Sequence, residues 1–482
     1  MRSMVPMLKM TAAAKRFGAK DISEMREIIL STLKKDYDTQ AAGLRGKAAS
    51  DFEKVYNKNI ENINDTFKIL MGVYGAAPSM TNAGAAQLYR NFLTWNSIRL
   101  LGYMTLSSLP DLGLQVFVNG PFRTIYHGLR HSLSSEGLSK GDLAAIGYGC
   151  ESEMGSRFKS YAEHQDLSTQ PGPFTRAFDE LERNFGNLTL MNQWNSWQQN
   201  IAGHVSIHRT LEAVHKISAG EKVKQKERVR LAKLGINDEQ IDIIAKFTEG
   251  NIDKKTGTRY ADWTNWDIKT NAEAKALEQF QLATGQDIES IVLTPGLGDR
   301  PKIGHTPVGR LLFQFKSFLM SATNKVLYAG LQDPKDVDKW LGVVSMLGMG
   351  ALSYYTTSLF KGKEPDLSFW NLGRESLDRS GLLGIFMEVY NIAEKGLGIG
   401  GVSRYQSRNF LGALLGPSGG AIEEIKDVVF SISQELQGKE SLTTKETKKW
   451  ARLVPIQNLF YIDWLNKEIV KRASKAAGIP EG

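Results

Sequence analysis

The chain has 482 residues, 41% of them hydrophobic and 23% charged, which is enough to bury a sizeable core and excludes a disordered chain. Its single cysteine, Cys150, excludes an intramolecular disulfide framework and a cysteine-based zinc cluster. The formal charge of +8 is a modest excess that fits anionic lipid headgroups, nucleic acid or plain solubility, and the uncharged stretch before Lys9 is too short for the core of a secretory signal.

Helical periodicity dominates, and runs of alternating β-branched residues are nearly absent, which predicts an all-α fold. A first helix opens at Asp21, with Glu24 three residues on in a capping-box pattern and Ile22, Met25, Ile29 and Leu33 at three-to-four spacing. A second amphipathic helix is expected over 51–74. These form an N-terminal region, 1–90. A central helical domain, 91–300, begins with two apolar stretches around Ser107 to Asp111, where Pro110 and Asp111 suit the first turn of a new helix. Further on, Leu234-Gly235 closes one helix and Asn237 caps the next. The segment 251–266 reads as a polar loop, and 294–307 as a second one, rich in Gly and Pro.

The C-terminal region, 301–482, holds an uncharged run of 21 residues from Trp340 to Phe360, held between Lys339 and Lys361. As a helix it would extend for roughly 30 Å, the thickness of a hydrocarbon core. Three glycines and several hydroxyl residues lower its hydrophobicity, so burial as a central core helix is an equal alternative to membrane insertion. Gly342, Ser345, Met349, Ser353 and Thr356 fall on one face, a small-residue stripe that lets helices approach closely. The whole reads as an elongated multi-helix assembly whose C-terminal apolar region is able to insert into a membrane. An amphipathic helix over 381–393 and a glycine-rich joint over 396–401 would follow it.

Two basic runs stand out. One, over 216–233, includes Lys222, Lys224, Lys226, Arg228 and Arg230. The other, Lys445, Lys448, Lys449 and Arg452, surrounds Trp450. Solvated helix faces are the simpler reading of both, since neither carries the interleaved aromatics of a strong nucleic-acid site.

Catalytic motifs are not evident. His204, His208 and Glu212 sit at successive i+4 positions, with His215 three further on, which would stack an N,N,O ligand set on one side of a helix. The glutamate that a zincin places directly after its first histidine is replaced by Val205, and polar helix-face residues are the simpler reading. The glycines from Gly396 to Gly401 follow a helix with no preceding strand and fail as a phosphate cradle. Four Glu-Ser pairs, at Glu151, Glu289, Glu375 and Glu440, lack the accompanying motifs of a peptidoglycan-cleaving transglycosylase. No enzyme, metal or cofactor is expected.

Several segments in order resemble the internal virion or DNA-ejection proteins of short-tailed bacteriophages, especially the helical C-terminal portions of the very large ones. They are Leu100 to Gly102 and Ser107 to Asp111, Leu231 to Gln240, Gln314 to Phe318, Leu377 to Gly381, Leu415 to Pro417, and Leu453 to Tyr461. They span about 90–465. The resemblance implies a protein packed in the capsid, ejected through the tail, and assembled with copies of itself and other phage internal virion or tail proteins. The assembly would be a conduit across the host envelope, reaching the inner membrane and touching phage DNA weakly. On that reading Trp340, Gly342, Ser345, Met349, Ser353, Thr356 and Phe360 form the membrane-inserting element. The main alternative is a structural virion scaffold indifferent to lipid; a peptidoglycan-cleaving fragment is a more distant one.

Overall fold

A computed structural model describes residues 18–71, 83–132, 184–292, 301–306, 317–323, 336–383, 424–430 and 453–465, with a few isolated positions between them. Among these the fold is all-α, and its one pairing of extended backbone is the isolated bridge between Ile252 and Arg259.

Helices α1 (Ile22–Ala41) and α2 (Lys47–Leu70) form a hairpin. Asp21 caps α1 as its spacing predicts, its carboxylate accepting from the Glu24 N–H at 2.9 Å. The base of the hairpin is apolar, with Met25 and Phe67 buried together. Its outer half is held by Tyr37 stacked between Phe52 and Tyr56.

Helix α3 (Ala83–Leu100) and the short α4 (Met104–Ser107) bury Ile98, Leu101 and Met104 with Phe185, Met191 and Leu459. The segment 453–465 is fastened to α3 by polar bonds. The Trp95 indole donates to Leu453 O at 3.0 Å, and the Asn458 amide donates to Arg99 O at 2.7 Å. Helix α5 (Asp111–Asn119) then starts where Pro110 and Asp111 predict, and Gly120, at φ +82°, ends it. A π-helical stretch, Arg123–Leu129, follows.

The largest core lies in a bundle of α6 (Met191–Ser218), α7 (Gln225–Lys233), α8 (Asp238–Phe247) and α9 (Asn271–Ile291). Ile207, Leu211, Leu231, Ile244 and Phe280 meet there. The α7–α8 join follows its sequence signals: Gly235 adopts φ +76°, and Asn237 forms a reciprocal capping box with Gln240. The segment 251–266, read as a polar loop, instead delivers Trp263 and Trp266 into this core, Trp266 stacking on Phe247 with centroids 4.6 Å apart.

The C-terminal layer contains a short α10 (Ser317–Ala322), α11 (Val337–Phe360) and α12 (Phe369–Ser380). Helix α11 runs antiparallel to α5, with Gly342 against Phe117 and Gly113 against Met346. The same buried face takes α12 further along, Gly350 lying beneath Ser376 and Ser380. Leu114, Phe117, Ala322 and Met346 form the core of this layer.

Candidate functional site

Helix α11 contains the whole of the uncharged run and starts three residues before it. Among the described residues no helix is long and apolar enough to cross a membrane. The expectation of a spanning segment is thus corrected: glycines and hydroxyls dilute its apolar content, and one of its faces is already occupied by protein. The buried positions are Gly342, Met346, Gly350, Ser353 and Thr357, at steps of four, four, three and four. Gly342 and Ser353 lie on the small-residue stripe read from the sequence, and the Ser353 hydroxyl donates to Leu106 O at 2.8 Å. Ser345, Met349 and Thr356 are only half-buried, because the true contact face is rotated by about one position. Phe360 is half-buried too, its ring set edge-on to Phe460 at 5.2 Å.

The opposite face of α11 is the unusual one. Val337, Leu341, Val344, Leu352, Tyr355 and Leu359 are all exposed, at steps that keep one side of a helix, with Gly348 also exposed between Val344 and Leu352. Val344 is 65% exposed and the neighbouring Trp340 60%. At the start of α12, Phe369 and Trp370 are 92% and 74% exposed. Soluble surfaces scatter single apolar residues, but a ridge running the length of a helix marks an interaction surface. Around it, Lys339, Lys361 and Lys363 are accompanied by Asp336, Asp338, Glu364 and Asp366, so the ends of the ridge carry both signs. Lys361 is held over the Tyr103 ring, 5.0 Å from its centroid.

The first basic run does not form one patch. Arg230 is half-buried in an ion network, paired with Asp287 and donating to Thr210 Oγ1 at 3.2 Å. Asp287 also accepts from the Ser206 hydroxyl at 2.6 Å. Beside it Arg209 binds Glu227 through two guanidinium nitrogens, at 3.0 and 2.8 Å. Burial alone would raise the Asp287 carboxyl; the charge and hydrogen bonds of Arg230 reverse this and hold it below the usual range. Glu227 is lowered in the same way, Arg209 outweighing burial. Lys226 pairs with Asp336 at 3.1 Å, and among the described residues Lys222, Lys224, Arg228 and Lys233 are the exposed cations of the run that make no ion pair. The second run, Lys445, Lys448, Lys449 and Arg452, lies outside the described residues, as do the joint at 396–401, Cys150, Glu151 and Glu440; of the helix expected over 381–393, residues 381–383 form the cap of α12 and a turn, and the rest lies outside the described residues apart from isolated positions.

The histidine ladder on α6 is committed to separate partners. His208 Nδ1 accepts from the Arg259 N–H at 3.1 Å, and its ring stacks on His127 of the π-helix with centroids 3.7 Å apart. His127 Nδ1 meets Thr258 Oγ1 at 2.8 Å, and His215 Nε2 meets Thr248 Oγ1 at 2.9 Å. Glu212 is bonded to Lys216 at 2.7 Å and faces Arg123 at 3.6 Å. Burial, reinforced by His127, pushes the His208 pKa down to about 3, so the ring is neutral at pH 7. Among the described residues no group of three or more His, Cys, Asp or Glu side chains is placed to hold a metal ion. A cleft of about 280 Å³ opens here, lined by Asn119, Phe122, Arg123, Glu212 and Asp338 beside the two rings. Of the described Glu-Ser glutamates, Glu289 is exposed on α9, and Glu375 is bound by Arg379 at 2.9 Å.

No family model, curated protein or solved structure matches this chain. What points to a function is the ridge, the core behind it and the sequence resemblance.

Proposed function

We propose that this chain is an internal virion protein of a short-tailed bacteriophage, ejected into the host envelope, where it assembles with its own copies into a conduit for the genome. The observation that carries the reading is the exposed apolar ridge of α11. In this account the ridge lies in the interface of the host inner membrane and does not span it; the glycine face stays packed on α5 and α12. An interfacial helix needs one apolar side, not twenty apolar residues in a row. Each side chain such as Val344 or Leu352 that leaves water contributes about 1 kcal/mol. The order of the phage-like segments supports the same reading, as does a chain that keeps most of its apolar surface in a water-compatible fold before it reaches lipid.

Contacts to passing DNA fall to Lys222, Lys224 and Arg228, and they are weak, as transport requires. Other internal virion or tail proteins would be its partners in the particle, and its location changes from virion interior to periplasm and inner membrane. A lipid-indifferent virion scaffold is the second reading, favoured by the burial of Gly342, Met346, Gly350 and Ser353 against protein. Co-flotation with anionic liposomes, with release of a trapped dye, separates the two. Flotation and leakage support the conduit; a protein that stays at the bottom of the gradient supports the scaffold.

A further inference from the structure

Helix α5 has two unlike sides. Toward α11 it packs at backbone distance, where a methyl added at Gly113 would sit 2.6 Å from Met346 Cα. Toward α6 it presents amides. Gln115 Nε2 donates to Gln198 O at 3.1 Å, but Gln115 Oε1, the Asn119 Nδ2 and both polar atoms of the wholly buried Gln198 side chain have no hydrogen-bond partner among the described residues. The apolar link across the seam is Val118, set against Ala202, Ile288, Ile291 and Val292. At its rim Arg209 of α6 donates to Asn119 Oδ1 at 3.1 Å, and the half-exposed Lys226 of α7 reaches Asp336 ahead of α11.

Buried amides without partners are costly, and they recover their hydrogen bonds as soon as water reaches them. A seam of this kind loses little on opening. The faces on either side of it are different: α5, α11 and α12 interlock through Gly113, Gly342 and Gly350, while α6 to α9 share one continuous apolar core. The chain passes from one side to the other at Gly120, whose φ of +82° is open to glycine and strained for other residues. The cleft beside Asn119 and Asp338 lies on this same line.

We infer that α5, α11 and α12 form a single unit that opens away from the α6–α9 bundle along the Gln115–Gln198 seam, with Lys226–Asp336 as its latch. The unit is a low-stability cooperative element set beside a high-stability one. The inference is independent of any contact with lipid, since it rests on the packing of the free chain.

Native-state hydrogen exchange on the full chain tests it. Amides of α5 and α11 exchange through one shared opening, at least tenfold faster than those of α8 and α9. Lys226→Glu, which sets two like charges at the latch on an exposed site, speeds exchange in both α5 and α11 by threefold or more and leaves α8 and α9 unchanged. Gln198→Leu, close in volume and free of unpartnered amide atoms, slows both. Equal exchange across all four helices, separate responses of α5 and α11 to Lys226→Glu, or faster opening in Gln198→Leu would overturn the inference.

Discussion

Gly342 and Gly348 stand on the same helix, six residues apart, and alanine at each should act in opposite directions. A methyl on Gly342 would lie 2.5 Å from Phe117 Cβ and 2.6 Å from Phe117 N, closer still to its Cα. That obstacle is backbone and cannot swing away, so α5 and α11 must separate. Overpacking costs about 1–3 kcal/mol, and backbone displacement places this site at the upper end. Removing a helical glycine returns about 0.5–1 kcal/mol, leaving a net loss of roughly 2 kcal/mol. Gly348 has nothing within 4 Å of its added methyl, so Gly348→Ala keeps the gain of about 0.5–1 kcal/mol. Read by hydrogen exchange of α5 and α11, Gly342→Ala speeds opening by close to thirtyfold, whereas Gly348→Ala slows it a few-fold. Equal effects of the same sign would refute the assignment of the two faces of α11. Gly342 and Ser353 are poor probes of membrane contact, because both are packed against protein and changing them loosens that packing first.

Acid should weaken the protein in two stages. His208 carries a folded pKa of about 3 against 6.5 when unfolded, so the unfolded chain binds the extra proton and stability falls as pH drops from 6.5 toward 3, by about 2 kcal/mol at pH 5. His208→Gln flattens this part of a denaturation-versus-pH curve. The lowered carboxyls of Asp287 and Glu227 contribute above their unfolded values and lose that contribution only as pH falls through their lower folded values, so a second decline begins below about pH 4. Arg230→Met leaves Asp287 buried without its main partner and costs about 3–5 kcal/mol in urea unfolding, and adding Asp287→Leu recovers most of it. In filter binding to DNA at varied salt, neutralising Lys222, Lys224 and Arg228 lowers the salt slope, while Arg230→Met leaves it unchanged; equal effects would put Arg230 back at the surface.

What could be read from the sequence was what local chemistry decides. The Asp21 and Asn237 caps, the Gly235 turn and the start of α5 at Asp111 each depend on residues within four positions, and each stands where it was expected. The all-α class follows from the same periodicity. The contact face of α11 was displaced by one position, because small and hydroxyl residues occur all round the helix and their spacing alone does not say which of them another backbone approaches. Long-range pairing was invisible. Arg230 reads as one cation of a basic run until Asp287, 57 residues away, is placed beside it. Likewise Trp263 and Trp266 sit among polar residues in sequence and enter the core only because the chain turns between α8 and α9. The histidine ladder was correctly spaced for one face, yet His208 and His215 are claimed by Arg259 and Thr248, on segments that spacing does not reveal.

The ridge on α11 is the centre of the functional account, and spin labels locate it directly. With Cys150→Ser in the background, a nitroxide is attached at Val344 or Leu352, and at Val229 of α7 as a reference that is also exposed. Collisions with oxygen and with a polar nickel chelate are then measured with and without anionic vesicles. The account predicts that in vesicles the labels at 344 and 352 gain oxygen contact and lose contact with the chelate, while the label at 229 keeps its solution values. Labels at 344 and 352 that stay as accessible to the chelate as they are in buffer would contradict it.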